Sequence, residues 1–467
     1  MKQLLAYCLS IILCVSFTGC MENYLDLYPE DKITSASFPE NESDIKLLLN
    51  GVYAQLREKE VYNQGLFGFG ITDGATPNAF NWGTDEVFNK LGAGRLSSSD
   101  GGVVTYRWKR CYEIISRANY LLACMDLVDL SEEAKAKYSG ETHFLRGLAY
   151  SVLAETYGGV PIILTNISTE EARSLKRASL EETWQQALDD YEVAITNLGV
   201  DAPEPGRATK GAALGMKMRA YLYQGKYKEV LACVEQIDAL KKYGLFHSYE
   251  GLFDPANENN KEVLFDIQYI EGENSQGSYI DQYCGTGTGS WTRGSRYVPT
   301  DDLVAAYETI DGSPVDPENP YENRDPRLGF TAVLPGSYFL GYRFPNYLYP
   351  GGAFNHAGNR LKHLSTRKYR IQDESKLPPS GQSYINDIIL RYADVLLSKA
   401  EAIIETNGNV ADAIAILNRI RTERDDVKIS LLPTSMSREE AREKVRHERR
   451  IELALDCLLY TSPSPRD

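Results

Sequence analysis

One segment constrains the fold more than any other: ETHFLRGLAYSVLAETYGGVPIIL, residues 141–164. At helical spacing, Phe144, Leu148 and Val152 form one stripe, and Leu145, Ala149 and Leu153 form the next. An apolar face that wide must be buried, so this helix packs between other elements. Gly158 and Gly159 can take the left-handed conformation that ends a helix, and Pro161 prevents its resumption. VPIIL beyond them reads as a short extended segment.

Further helical patterns surround it. Residues 43–58 (SDIKLLLNGVYAQLRE) carry apolar residues at helical spacing, with Ser43 or Asp44 placed to cap. WKRCYEIISRANYLL (108–122) is another helix. AYLYQGKYKEVLACVEQI (220–237) and AEAIIETNGNVADAIAILNRI (400–420) each place a helix, a glycine turn and a second helix in close succession. Small alanines sit where the paired helices must approach. This is the logic of tetratricopeptide-like hairpins, none of which can bury its apolar face alone. The copies are degenerate and far apart, so the expected fold is mainly α: an irregular tetratricopeptide-like scaffold with few short strands.

A different region runs from about 251 to 385. It is rich in Gly, Pro, Asn and aromatic residues and has little helical periodicity. EVLFDIQYI (262–270) reads as a strand and LVAAYETI (303–310) as a short helix. YFLGYRFPNYLYPGGAF (338–354) reads as a ring-dense loop. Long ordered loops of this kind usually carry function.

The first residues lie outside that fold. Lys2 precedes an uncharged apolar run at 4–17, followed by Thr18, Gly19 and Cys20. The layout is that of a secretory signal, and the run is too short for a comfortable membrane span. Residues 1–19 are therefore read as a signal peptide. The end resembles a bacterial lipobox, in which Cys20 receives lipid and anchors the chain. Residues 20–38 form an arm, polar and interrupted by Pro29. Cys111, Cys124, Cys233, Cys284 and Cys457 show neither paired nor metal-ligand spacing, and the first three fall in helical patterns as core residues.

Composition narrows the partners. The net charge of -15 repels phosphate backbones, which disfavours nucleic acid. Tyr is abundant, with 31 residues against 14 Phe and 4 Trp. Most such rings pack helices, but an aromatic face with a polar edge also suits stacking on sugars or peptides.

Eight blocks along the chain resemble the RagB/SusD family, in that family's order. They are the lipobox and arm; Trp108, Tyr112, Ile115 and Asn119 at W-x3-Y-x2-I-x3-N spacing; and the 141–163 block. GRATKGAALGMKMRAYLYQGKYKEV (206–230) and NKEVLFDIQY (260–269) follow. The last three are YENRDPRLGFTAVLPGS (321–337), NDIILRYADVLLSKAEAIIE (386–405) and VRHERRIELAL (445–455). The resemblance implies a lipid-anchored protein on the outer-membrane surface. It would capture oligosaccharide or peptide nutrients and pass them to a partner TonB-dependent outer-membrane transporter. One domain, 39–456, would hold the helical scaffold, with the loop-rich insert carrying the ligand site.

Most motif residues have a structural reading. Asp325, between Arg324 and Arg327, can form a charge-assisted pair that pins a loop, with Pro326 fixing the turn. Arg391 and Asp394 sit three apart on one helix, within reach of each other or of nearby backbone. The ligand is expected at two places. The first is ITDGATPNAFNWGTDEVF (71–88), with Asp73, Asn81 and Trp82, which matches a ligand-lining region of the family in position. The second is the ring-rich middle, with Trp291, Tyr297, Tyr342 and Tyr347. Trp or Tyr rings would cover a sugar face, while Asp and Asn bond its hydroxyl edge.

Catalytic signals are poor, so no enzyme, cofactor or metal is expected. His447-Glu448 continues as Arg449-Arg450-Ile451, which breaks HExxH. GTGTG (285–289) lacks the serine of GxSxG. A surface glycoside hydrolase and a helical protein-binding scaffold are the alternatives. The family pattern breaks after Leu455. LLYTSPSPRD resembles a translated sequencing adapter, so residues 457–467 are expected to be a non-native tail.

Overall fold

The computed structural model describes residues 38–57, 73–81, 90–97, 99–271, 277–278, 280, 297–343, 364–379 and 382–456. The signal segment, Cys20, Cys284, the GTGTG stretch and the 457–467 tail lie outside the described residues. Helix α1 spans Glu42–Ala54. Its cap is Asn41, not Ser43 or Asp44. Asn41 has extended backbone, and its side chain accepts from the Asp44 amide at 3.2 Å; Ser43 and Asp44 are already helical. Strand β1 (Ala79–Asn81) follows.

Helix α2 (Val103–Cys124) leads to α3 (Glu132–Tyr157), which contains the wide apolar face. Gly158, at φ +76, ends α3 where the sequence predicts. The VPIIL segment pairs with no strand among the described residues. The Ala178 amide donates to the Val160 carbonyl at 3.1 Å, and side chains satisfy the next ones: Tyr112 donates to Pro161 at 2.8 Å, and Asn119 and Tyr150 donate to Ile163 at 2.9 and 3.0 Å. Three spaced residues of α2 and α3 thereby fix a segment that has no ladder of its own. Helix α4 (Thr169–Ser174) and helix α5 (Leu180–Asn197) come next. Buried Arg146 on α3 forks onto Asp190 of α5, the closest contact being 2.7 Å.

The first predicted hairpin is α6 (Lys210–Tyr223) and α7 (Tyr227–Ala239), turning at Gly225 with φ +66. Strand β2 (Val263–Ile267) matches the predicted strand. The loop-rich region supplies β3 (Tyr297–Pro299), α8 (Asp301–Ala306) and α9 (Pro326–Thr331). Short strands follow: β4 (Ala332–Val333), β5 (Tyr338–Phe339), β6 (Tyr342–Arg343), β7 (Ser365–Thr366) and β8 (Asp387–Arg391). The second hairpin is α10 (Tyr392–Glu405) and α11 (Val410–Thr422), and α12 (Arg438–Glu452) packs against both. Each described sheet has two antiparallel strands, paired β1–β3, β2–β8, β4–β7 and β5–β6.

The apolar faces of the helices merge into one large core, and a smaller aromatic core lies beneath the loops around Tyr249, Phe253 and Tyr369. Cys111, Cys124 and Cys233 are buried and free. Burial pushes the Cys111 thiol up to about 12, so it packs as a small hydrophobe.

Charged side chains weld the two regions together. Arg327 reaches Asp325 at 2.8 Å, Glu448 at 2.7 Å and Glu452 at 2.9 Å. Asp325 also caps α9, accepting from the Arg327 amide at 2.9 Å. Arg391 and Arg424 share Glu262 and Glu452, all within 2.6–2.9 Å, and Arg421 joins Glu448 to Glu308. The Tyr249 ring sits among the cations, with Arg424 5.4 Å and Arg391 5.9 Å from its centroid. That aromatic face compensates the Nε and Nη1 of Arg424, which have no hydrogen-bond partner among the described residues. Arg391 and Asp394 do not pair with each other. Asp394 faces Arg219 of α6 and Arg449 of α12, at 2.7 and 2.6 Å. Burial opposes its charge, but Arg449 and Arg219 win and hold the carboxyl at about 2.

Glu452 is fully buried, and its three arginines hold it far below the usual carboxylate range against the cost of burial. Removing its charge leaves Arg327, Arg391 and Arg424 short of a counterion. Glu452→Gln is expected to lower unfolding stability by about 3 kcal/mol, read by urea denaturation. A loss below about 1 kcal/mol would show that the cluster does not brace the fold.

A second cluster behaves oppositely. Burial pushes Asp387 up to about 7, helped by Asp266, and pushes Asp266 itself to about 6. Asn386 donates to Asp266 at 3.0 Å, and its own amide donates to Glu258 at 2.9 Å. A carboxyl raised on folding supports the native state below its ordinary pKa of 3.8, and that support is lost as pH rises through 7. Asp387→Asn removes the titration, so its melting temperature should gain on wild type progressively from pH 4 to pH 7. A difference in melting temperature that stays flat across this window would contradict the assignment.

Candidate functional site

The two expected ligand segments, far apart in sequence, meet in the structure. Strand β1 ends the described part of the first segment, and β3 opens the described part of the second. They run antiparallel, with Ala79 opposite Pro299, Phe80 opposite Val298 and Asn81 opposite Tyr297. The backbones of Asn81 and Tyr297 are therefore neighbours. Phe80, one position before Asn81, is 43% exposed, while Ala79 is buried in the aromatic core. Trp82, Trp291 and Tyr347 lie outside the described residues. Tyr342 belongs to a different hairpin, β5–β6, opposite Phe339.

Asp73 begins a 3-10 turn, Asp73–Ala75, and is 1% exposed. Its carbonyl accepts from the Thr76 amide at 3.0 Å and the Thr76 hydroxyl at 2.9 Å. The Thr76 hydroxyl in turn accepts from the Asn78 amide at 3.1 Å. The side chain of Asp73 thus stands beneath the surface, at the base of the turn that leads into β1.

The turn is tied to the scaffold at two points. The Thr300 amide donates to the Asn78 carbonyl at 3.0 Å, and the Thr300 hydroxyl donates to the Pro77 carbonyl. Arg450 of α12 donates through Nε to the Asn78 side chain at 2.8 Å. Asn78 is 2% exposed, so this bond is shielded from water. Sequence reasoning missed both Asn78 and Arg450. They are 372 positions apart, and no local pattern links them.

Glu448, beside the failed zinc motif, is occupied by Arg327 and Arg421. His447 donates from Nε2 to the Ala306 carbonyl at 2.7 Å. Among the described residues no group of three or more His, Cys, Asp or Glu side chains could hold a metal ion. No described helix is long and apolar enough to cross a membrane.

Comparison with known proteins matches both halves of the chain. A family model described as the SusD family covers residues 261–457. A second, described as starch-binding associating with outer membrane, covers residues 23–222. The chain belongs to the SusD/RagB family. A SusD-like protein of Formosa agariphila, P25, is 25% identical over 98% of this chain and 88% of its own length. The crystal structure of a SusD-like carbohydrate binding protein from Bacteroides fragilis superposes with a TM-score of 0.77 at 27% identity. It covers 90% of this chain and 85% of that one. A second SusD-like protein of the same organism gives 0.76 at 26%, covering 92% and 88%. This SusD/RagB member has the expected tetratricopeptide-like helical fold with few short strands.

Arg450 braces the β1 turn from a distance. Arg450→Met keeps the length of the side chain and removes its donors. Backbone amide exchange at 73–81 is expected to rise about tenfold, the effect of losing one shielded charge-assisted bond. Unchanged exchange there, with α12 still protected, would remove Arg450 from this role.

Proposed function

We propose that this SusD/RagB protein captures oligosaccharides at the bacterial surface and delivers them to a TonB-dependent outer-membrane transporter. In this reading Cys20 carries the lipid, residues 20–38 hold the body off the membrane, and the helical scaffold supplies part of the transporter contact. The observation that carries the reading is the family match over both halves of the chain. It is supported by the carbohydrate-binding description of the Bacteroides fragilis relative. The β1–β3 pairing adds a physical argument. It joins the segment bearing Asn81 and Trp82 to the segment bearing Trp291 and Tyr297, while Asp73, expected to bond a sugar edge, is buried at the base of the turn and braces it instead. Two such segments side by side can offer ring faces and a polar edge to one sugar chain.

The site is tested by calorimetry with a panel of oligosaccharides and short peptides on Trp82→Ala and Trp291→Ala. Each lost ring is expected to weaken the best ligand by about 1–3 kcal/mol, with circular dichroism unchanged. If both folded variants keep wild-type affinity, the site lies elsewhere. Binding of peptides in place of sugars would replace the ligand class and leave the uptake role.

A further inference from the structure

A cavity of about 450 Å³ lies under the β5–β6 hairpin. Among the described residues, none of its lining comes from segments 71–88 or 291–297. Its floor belongs to the aromatic core, where the Phe253 and Tyr369 rings meet edge to face at 4.8 Å. The volume falls in the range of roughly 300–1,000 Å³ typical of small-molecule sites.

The hairpin is built to hold one ring over this space. Its two turn residues, Leu340 and Gly341, both have positive φ, at +52 and +79. Such a turn matches the twist of paired strands, but a leucine is costly there. Burial offsets the strain: Leu340 is 1% exposed and packs with Val333 and Phe339. With Phe339 and Leu340 anchored inward, alternation leaves Tyr338 outward. Tyr338 is 67% exposed, lines the cavity, and makes no hydrogen bond or ring contact among the described residues.

The polar lining is mixed. Arg367 donates to the Gly329 carbonyl at 3.2 Å and to the Glu250 carboxylate, and its guanidinium lies 5.6 Å from the Phe339 ring centroid. Glu250 thus balances its charge. The Arg367 Nε is buried and has no hydrogen-bond partner among the described residues. Asp254 and Gln372 also line the cavity; Asp254 accepts from the Ala256 amide through one oxygen at 2.8 Å, and Gln372 donates through Nε2 to the Arg370 carbonyl at 3.3 Å. Lys368 below is fully engaged by Asp456 and the Ala454 carbonyl, so it offers no free cation. An open ring, with the second carboxylate oxygen of Asp254 and the side-chain carbonyl oxygen of Gln372 on the lining, suits a ligand with one apolar face and hydroxyls at its edge. Arg367 and Lys368 are each paired with a carboxylate, Glu250 and Asp456, and the third cation of the lining, Arg370, is 1% exposed.

We propose that this cavity is a second carbohydrate site, taking a neutral disaccharide-sized sugar stacked on Tyr338. The choice of ligand class rests on the carbohydrate reading above, while the location is independent of the β1–β3 site. The test is saturation-transfer NMR and calorimetry on the full chain with maltose, cellobiose, laminaribiose and xylobiose. At least one is expected to bind. Tyr338→Ala should weaken it about tenfold, and Tyr338→Phe should not, because the ring face makes the contact. Binding should persist in the Trp82→Ala, Trp291→Ala double variant. Two results would overturn the proposal: no disaccharide binds wild type, or Tyr338→Ala stays within about twofold for every one that does. Disaccharide binding lost only in the tryptophan variant would also remove the second site, while leaving the proposed function standing. Longer oligosaccharides that ignore both tryptophans, beside disaccharides that depend on Tyr338, would remove the β1–β3 site alone.

Discussion

The fold depends on charge buried where scaffold and loops meet. Arg327, Arg391, Arg421 and Arg424 are each at most 2% exposed, and they face Glu262, Glu448, Glu452 and Asp325. Moving such groups out of water costs several kcal/mol each, and their attraction repays that cost only when the geometry is good. Net stability is therefore a poor account of the cluster. Its better account is position. A misplaced apolar side chain finds another apolar neighbour, but a misplaced buried arginine leaves an uncompensated charge. The cluster ties the start of β2, the start of α9, the end of β8, the end of α11 and α12 into one arrangement. The loops that grow from those points inherit fixed origins.

The helices were legible because period and punctuation agreed. The wide face of α3, its stop at Gly158 and both hairpins follow from local rules, although the left-handed turn residue is Gly225 in the first and Asn407, not Gly408, in the second. The cap of α1 was misread because Asn41, Ser43 and Asp44 are all competent acceptors. Backbone conformation at Asn41 decides among them, and that is not a property of composition. Arg391 and Asp394 were read as possible partners from their spacing. Arg391 in fact closes a strand while Asp394 lies in the first turn of a helix, so the usual face rule does not join them. Arg391 turns to β2 and α12, and Asp394 turns to α6 and α12.

The candidate site was legible as composition and not as geometry. Gly-, Asn- and Tyr-rich stretches announce loops that can bind, but they lack the periodicity that would aim a side chain. Each loop strand is two or three residues long. Pairs that short are marginal alone, so long-range contacts orient them, and such contacts leave no mark in a local window. The Asn78–Arg450 bond is the clearest case. The tyrosine at the hairpin edge is another. Tyr338 appears in sequence as one ring among many, and only the strained turn beside it distinguishes it.

One turn of α12 carries this argument to its end. Glu448 and Glu452, four residues apart on one face, enter the arginine cluster. Arg449 points instead to Asp394 and so fastens α12 to α10 and, through Arg219, to α6. Arg450, the next residue, reaches the turn that leads into β1. Successive side chains on a helix diverge by about 100°, so three consecutive contacts address three different parts of the molecule. The same helix that is held by the buried charges therefore holds the loop. Burying charge in the scaffold and placing rings on the loops are, on this view, two parts of one device. The first sets where the loops begin, and the second leaves their chemistry free to differ from one relative to another. Preorganisation of that kind lowers the entropic cost of binding without prescribing the ligand.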